Sequence, residues 1–111
     1  MATYIVGDIH ITDPAEYQAH LPRALATIAR FGGRVVAGGG KIDLLEGDPM
    51  PELIFIIEFP TADAARRWYQ SDEYQEALEV RQSASSGRVF RIEGNEISGA
   101  VAVPGLDAGK S

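Results

Sequence analysis

An arginine, Arg81, lies within the apolar stripe of a predicted helix. Three residues share its face at the i, i+3, i+4, i+7 spacing: Tyr74, Ala77 and Leu78. If Arg81 is buried there, its charge requires an acid such as Glu58, Asp8 or Glu93, or a bound anion. Its planar guanidinium matches a carboxylate and predicts an anion-binding role. Alternatively, its stem covers apolar surface and its head reaches water.

Two acids, Asp8 and Glu58, are predicted on the sheet face that carries no helix. Each lies near the carboxyl end of a strand, and the two strands are expected to be parallel neighbours at the centre of the sheet. Two carboxylates sharing a poorly hydrated site would raise the pKa of one, giving an acid or base usable near neutrality. The alternative is that Glu58 forms a structural pair with Arg81 or another arginine.

His10 and His20 are the two histidines of the chain. Pro22 should interrupt the surrounding helix, so His20 could project into a cleft and carry protons near neutral pH. A surface or structural role is the alternative. Asp8, His10 and Glu58 follow no metal-binding spacing, and we predict no metal site.

Five aromatic residues could wall an apolar pocket for a small aromatic or carboxylated ligand. They are Tyr4, Tyr17, Trp68, Tyr69 and Tyr74. Packing in the core or at an interface is the alternative, because aromatic side chains dominate the energetics of both.

The elements that must position these residues follow the order β, α, β, β, α, β. Strands are predicted at 3–11, at 34–47 as two extended pieces joined by three glycines, at 53–59 and at 88–94. The helical segments have N-cap candidates at Asp13, Thr61 and Ser71 and end near Phe31 and Gly87. This order predicts an α+β, ferredoxin-like fold with a four-stranded antiparallel sheet and its helices on one face.

The other face of the sheet is predicted to carry Tyr4, Val6, Ile54 and Ile56. Such an apolar face should be buried against a second copy of the chain, which predicts a homodimer. The ferredoxin-like domain spans 1–94. The segment 95–111 is richer in small residues and is either a tail that packs on the partner subunit or a flexible one.

Charge and composition exclude several classes of partner. The formal net charge is −6 and the ten basic residues are scattered, which argues against nucleic acid and anionic membranes. The chain has no cysteine and no apolar run longer than LIFII, so we expect a soluble, cytoplasmic protein. The glycines at 38–40 lack the lysine and the strand-to-helix setting of a phosphate loop.

Several segments together resemble one family. They are GGRVVAGGG (32–40), LLEGD (44–48), IIEFP (56–60), ADAARRWYQSDEYQEALEVR (62–81) and the closing segment that ends at Gly94. In these segments the chain resembles the domain-of-unknown-function 1330 family. That resemblance implies a dimeric α/β barrel built from two ferredoxin-like units. His20 stands where the family more often has an aromatic residue, and the chain extends past the usual end. The resemblance leaves the activity open.

The residues favour an enzyme that needs no cofactor and moves a proton on a small carboxylated or aromatic molecule, as an isomerase, cyclase or lyase. Glu58 or Asp8 would be the acid or base and His20 a second proton carrier, with Arg81 binding the anion. The alternative is a non-catalytic module that binds a small molecule or another protein. The two differ in whether a proton-transfer group touches the ligand.

Overall fold

The computed structural model describes residues 2–94. The strands are β1 (Thr3–Ile11), β2 (Arg34–Gly38), β3 (Leu53–Phe59) and β4 (Ser85–Glu93). The helices are α1 (Pro14–Arg30), α2 (Ala62–Gln70) and α3 (Asp72–Ala84). The predicted tail at 95–111 lies outside the described residues.

The four strands form one sheet in the order β2-β3-β1-β4, and every neighbouring pair is antiparallel. This confirms the α+β, ferredoxin-like prediction. The expectation that β1 and β3 are parallel is wrong, because the chain reverses between β2 and β3 after the α1 crossover. The register places Tyr4 opposite Glu58 and Asp8 opposite Ile54. Asp8 and Glu58 are therefore about 13 Å apart along the strands, at roughly 3.3 Å per residue, and share no site.

Three predictions about the strands and helices differ from the structure. Residues 41–47 form no strand, so only the first of the two extended pieces pairs with β3. β4 begins at Ser85 because α3 ends at Ala84, three residues before the predicted stop at Gly87. Helix α1 continues through Pro22 without interruption. Proline there removes one helical hydrogen bond, and the rest of the helix holds the turn in place.

The predicted N-caps are confirmed. Asp13 accepts a hydrogen bond from the Glu16 amide at 3.1 Å, and Thr61 accepts one from the Ala64 amide at 3.0 Å. Ser71 accepts from the Tyr74 amide at 3.1 Å. Each cap fixes the first turn of its helix and hence the face that the helix turns to the sheet.

The core lies between the helices and one face of the sheet. Ile5, Ile57 and Phe59 of the sheet pack with Ala65 and Trp68 of α2. In the same face Gly7 leaves room for a neighbour: a Cβ built there would lie 2.2 Å from the Phe55 ring. The absent side chain therefore lets Phe55 lie across β1.

Main-chain bonds tie the start of α1 to the end of α3. The amides of Thr12 and Asp13 both donate to the Ala84 carbonyl, at 2.8 and 3.0 Å. The Ser85 hydroxyl donates to the Arg81 carbonyl at 2.5 Å. The last turn of α3 is thus held against the first turn of α1 by bonds that mostly involve no side chain.

The opposite face of the sheet carries no helix. Its apolar side chains come from three strands: Val6, Ile54, Ile56, Phe90 and Ile92. Phe90 and Ile92 are 41% and 48% exposed. Within residues 2–94, no helix has both the length and the apolar character needed to cross a bilayer.

Candidate functional site

A pocket of about 370 Å³ opens between the helices and the β2–β3 side of the sheet. Its wall is mostly apolar, and its main contributors from α1 and β3 are Ala24, Leu25, Ile28, Leu53, Phe55 and Ile57. Leu25 and Val35 are 47% and 41% exposed and mark its mouth. The pocket lies at the lower end of the size range of small-molecule sites.

His20 lines this pocket and is 6% exposed. Its Nδ1 lies 2.5 Å from the Tyr17 carbonyl, which can only accept, so Nδ1 carries the proton and donates. Burial lowers the pKa of His20, with a further contribution from the Arg81 charge, against the opposing effect of the carbonyl. The neutral ring therefore holds its lone pair on Nε2, and no group within residues 2–94 forms a hydrogen bond to that atom.

Arg81 also lines the pocket, from the last turn of α3. Its Nε is fully buried and has no hydrogen-bond partner among the described residues. No acid between residues 2 and 94 forms a salt bridge with its guanidinium. The predicted placement on the apolar stripe holds, because Tyr74, Ala77 and Leu78 are buried.

Two tyrosines, Tyr17 and Tyr74, complete the polar part of the wall. Burial raises the pKa of both, and the Arg81 charge opposes that rise in each. The Tyr17 ring contacts His20 edge to face, with centroids 4.8 Å apart. Both tyrosines are therefore neutral hydrogen-bonding groups near neutral pH, close to one cation.

Trp68 forms part of the aromatic wall and is 1% exposed. Its ring lies 4.0 Å from that of Tyr74 and 5.2 Å from that of Phe59, between centroids. The indole Nε1 donates to the Thr27 hydroxyl at 3.1 Å, and that hydroxyl donates to the Ala24 carbonyl at 2.7 Å. The indole N–H of Trp68 is thus already bonded within the protein, so only the apolar part of its ring can contact a ligand.

Glu58 and Tyr4 lie on the other side of the sheet from the pocket. Glu58 accepts from Arg34 Nε at 2.8 Å and from the Tyr4 hydroxyl at 3.1 Å. The bond to Glu58 raises the pKa of Tyr4. Glu58 thus pairs with an arginine, as one of the alternatives above holds, and that arginine is Arg34 rather than Arg81.

Asp8 and His10 also lie outside the pocket. Asp8 is 3.7 Å from Arg88 Nη2 on the helix-free face. His10 is exposed, and its Nδ1 lies 2.5 Å from Glu52 Oε1. Across residues 2–94, no three histidine or carboxylate side chains come close enough together to hold a metal ion.

Tyr69 is 42% exposed and does not line the main pocket. Its ring packs 5.5 Å from Tyr74, and it borders a second cavity of about 240 Å³ beside α2 and β4. Of the predicted site residues, the pocket therefore gathers His20, Arg81, Tyr17, Trp68 and Tyr74.

Sequence reasoning missed Phe55, which lines the pocket, and Thr27, which lies behind it and accepts a hydrogen bond from the Trp68 indole. Phe55 lines the pocket from β3, and the glycine opposite it in β1, Gly7, is the sequence signal of a ring that crosses that strand. Thr27 carried no signal, because a threonine within a helix usually faces solvent or bonds to its own backbone.

Several solved structures are similar to this chain. A protein of unknown function from Rhodopseudomonas palustris has a TM-score of 0.71 at 21% identity, covering 86% of this chain and 84% of that one. SnoaB, a cofactor-independent oxygenase from Streptomyces nogalater, has a TM-score of 0.65 at 19% identity, covering 89% and 98%. An antibiotic biosynthesis monooxygenase has a TM-score of 0.51 at 15% identity, covering 87% and 99%. At these identities the likeness establishes the fold alone.

None of the curated proteins that were compared matches the chain. A family match covers residues 2–95, which include the whole sheet, all three helices and the pocket. The chain therefore belongs to the DUF1330 family, a domain of unknown function.

Proposed function

We propose that the main pocket is the active site of an enzyme that needs no cofactor and moves a proton on a small carboxylated or aromatic molecule. One observation carries the proposal: a buried, neutral His20 with its Nε2 unbonded shares an apolar pocket with Arg81, which has no acidic partner within residues 2–94. A neutral imidazole is a base, and a nearby cation stabilises the anion that the base creates.

His20 Nε2 takes a proton from a C–H or O–H bond activated by a carbonyl group or an aromatic ring. The electron pair left behind moves onto an oxygen of the substrate, where the Arg81 guanidinium stabilises the negative charge. Return of the proton from Nε2 to a different atom gives an isomer, and expulsion of a neighbouring group gives a lyase product. The apolar wall keeps water away from the anion.

The tautomer of His20 supports this role. Because the Tyr17 carbonyl accepts from Nδ1, the ring cannot place its proton on Nε2 without losing that bond. The likeness to SnoaB, described as a cofactor-independent oxygenase, supports chemistry without a cofactor by analogy of fold.

We further propose that the chain works as a homodimer joined through the helix-free sheet faces. A row of apolar side chains at the centre of that face, including Val6, Ile56 and Phe90, is typical of a surface buried by a partner. Ile56→Glu should give monomers in size-exclusion chromatography with light scattering. Leu45→Glu, which changes an 89% exposed residue outside this face, should leave the dimer intact. A monomeric wild-type protein would contradict the dimer.

Deuterium exchange tests the catalytic role. Arylacetates and 2-oxo acids with an acidic C–H are incubated with the protein in deuterated buffer, and exchange is followed by proton NMR. Wild type should catalyse exchange for at least one compound, and His20→Asn should lower the rate by about 10²- to 10⁴-fold. Asparagine can still donate to the Tyr17 carbonyl but has no basic nitrogen.

His10→Asn is the matched control, because His10 is exposed and lies outside the pocket. It should retain the wild-type rate. Compounds that bind without exchanging would favour the binding-module alternative. Exchange that survives in His20→Asn would remove His20 from the mechanism.

A further inference from the structure

The pocket wall contains very few charged side chains. Among its lining residues there is no aspartate, glutamate or lysine, and Arg81 is the one formally charged side chain. His20 adds no charge near neutral pH because its burial favours the neutral ring. Within residues 2–94, the wall therefore carries a single positive charge.

That charge lacks a counterion among the described residues. The Arg81 charge opposes the rise in the pKa of Tyr17 and Tyr74, and a hydrogen bond with Arg81 adds to this effect at Tyr74, yet Arg81 Nε has no hydrogen-bond acceptor within residues 2–94. Arg81 is only partly buried as a residue, but its Nε is enclosed, and a buried nitrogen without a partner carries a desolvation cost. An anion that enters the pocket supplies both the missing acceptor and a counter-charge.

The burial pattern orients such an anion. Arg81 Nε is fully enclosed, whereas Leu25 and Val35 at the mouth are exposed to solvent. A group that bonds to Arg81 Nε therefore lies away from the exposed residues at the mouth. The rest of the ligand then lies between the apolar mouth and the rings of Trp68 and Tyr74.

We propose that the pocket selects a planar aromatic ligand with one negative charge, a monocarboxylate, bound with its carboxylate at Arg81 and its ring against Trp68 and Tyr74. This inference rests on the pocket of the proposed function and names the class of its substrate. A second negative charge would be buried without a partner, and a positive charge would be repelled by Arg81. Dianionic and cationic analogues are therefore rejected.

The test compares three probes of similar shape by calorimetric titration of the full chain at about pH 8, where a histidine of lowered pKa is neutral. The probes are 4-methoxybenzoate, 4-methoxybenzamide and 4-methoxyphenyl phosphate. The benzoate should bind at least about tenfold more tightly than the amide, because a charged hydrogen bond contributes more than a neutral one. The phosphate should bind more weakly than the benzoate.

Variants assign the selectivity to Arg81. Arg81→Met should abolish the preference for benzoate over benzamide, and Arg81→Lys should keep part of it. Arg67→Met is the matched control, because Arg67 is exposed and pairs with Asp63 on α2, outside the pocket. It should behave as wild type.

Equal affinity of wild type for the benzoate and the amide would overturn the proposal, and so would tighter binding of the phosphate. These comparisons use wild type alone and stand even if Arg81→Met fails to fold. Binding is measured here without turnover. Selective binding without deuterium exchange would therefore contradict the catalytic role and leave the ligand class standing. Deuterium exchange on neutral compounds alone would contradict the ligand class and leave the catalytic role standing.

Discussion

Arg81 and Glu58 lie on opposite sides of the sheet. Arg81 faces the pocket between the helices and the sheet, whereas Glu58 binds Arg34 and Tyr4 on the helix-free face. The charged groups of the fold are thus divided: those of the open face neutralise one another, and the pocket keeps an arginine without an acid in residues 2–94.

This division predicts that Glu58→Gln leaves pocket binding unchanged. The affinity for 4-methoxybenzoate should equal that of wild type, and the free energy of unfolding should fall by no more than about 1 kcal/mol for a partly exposed ion pair. The pKa of Tyr4 should fall towards its ordinary value because its hydrogen bond to the carboxylate is lost. Spectrophotometric titration of tyrosine checks this. A large loss of affinity would connect the two faces and contradict the division.

His20 predicts a dependence of stability on pH. Burial lowers its pKa in the folded chain, so the unfolded chain, with an ordinary value of 6.5, binds the proton more readily. The free energy of unfolding therefore falls as the pH drops below that value and levels off below the folded pKa. In urea titrations, His20→Asn should lack this part of the fall, and His10→Asn should keep it. Identical slopes in wild type and His20→Asn would contradict a buried neutral ring.

Loss of the Thr27 hydroxyl should lower the stability of the fold, because Trp68 donates a hydrogen bond to it. Thr27→Val removes the acceptor of the indole N–H and leaves a buried donor unpaired, which should cost about 1–3 kcal/mol. Thr27→Ser keeps the hydroxyl and should cost less. Trp68 is the sole tryptophan of the chain, so its fluorescence follows denaturant unfolding directly. A larger loss in Thr27→Ser than in Thr27→Val would mean that the methyl group of Thr27, rather than its hydroxyl, matters.

A substitution at Gly7 should affect the pocket, because Gly7 packs against the side of the Phe55 ring that faces away from the pocket. In Gly7→Ala the new methyl group overlaps that ring, which must move towards the pocket. Stability should fall by about 1–3 kcal/mol, as in other overpacked cores. Affinity for 4-methoxybenzoate should fall as well. The double variant Gly7→Ala with Phe55→Leu should recover part of both losses, and no recovery would show that the strain lies elsewhere.

Local features of the fold could be predicted from the sequence, because neighbouring residues determine them. The first strand, the caps at Asp13 and Ser71 and the apolar stripe that contains Arg81 all follow from periodicity or from one side chain bonding to a nearby amide. The unbroken helix at Pro22 was missed, because the packing of the rest of α1 outweighs the loss of one bond.

The site could be predicted only in part, because it depends on how strands that are far apart in the sequence pair with one another. His20 and Arg81 were chosen for their chemistry, and the structure places both in the pocket. Asp8 and Glu58 share a site only if β1 and β3 run parallel, as the sequence analysis predicts; the antiparallel register separates them. No local pattern shows that Arg34 reaches Glu58, because their pairing depends on how β2 lies against β3.

The two main-chain bonds to the Ala84 carbonyl have an evolutionary consequence. They hold the end of α3, which carries Arg81, against the start of α1, which carries His20 one turn after Tyr17. Bonds from backbone amides survive most substitutions, since every residue except proline supplies the same donor. Substitutions at lining residues such as Leu25 and Phe55 can therefore change the shape of the pocket while His20 and Arg81 keep their relative placement. The pocket wall can thus diverge while the backbone that positions His20 and Arg81 stays the same.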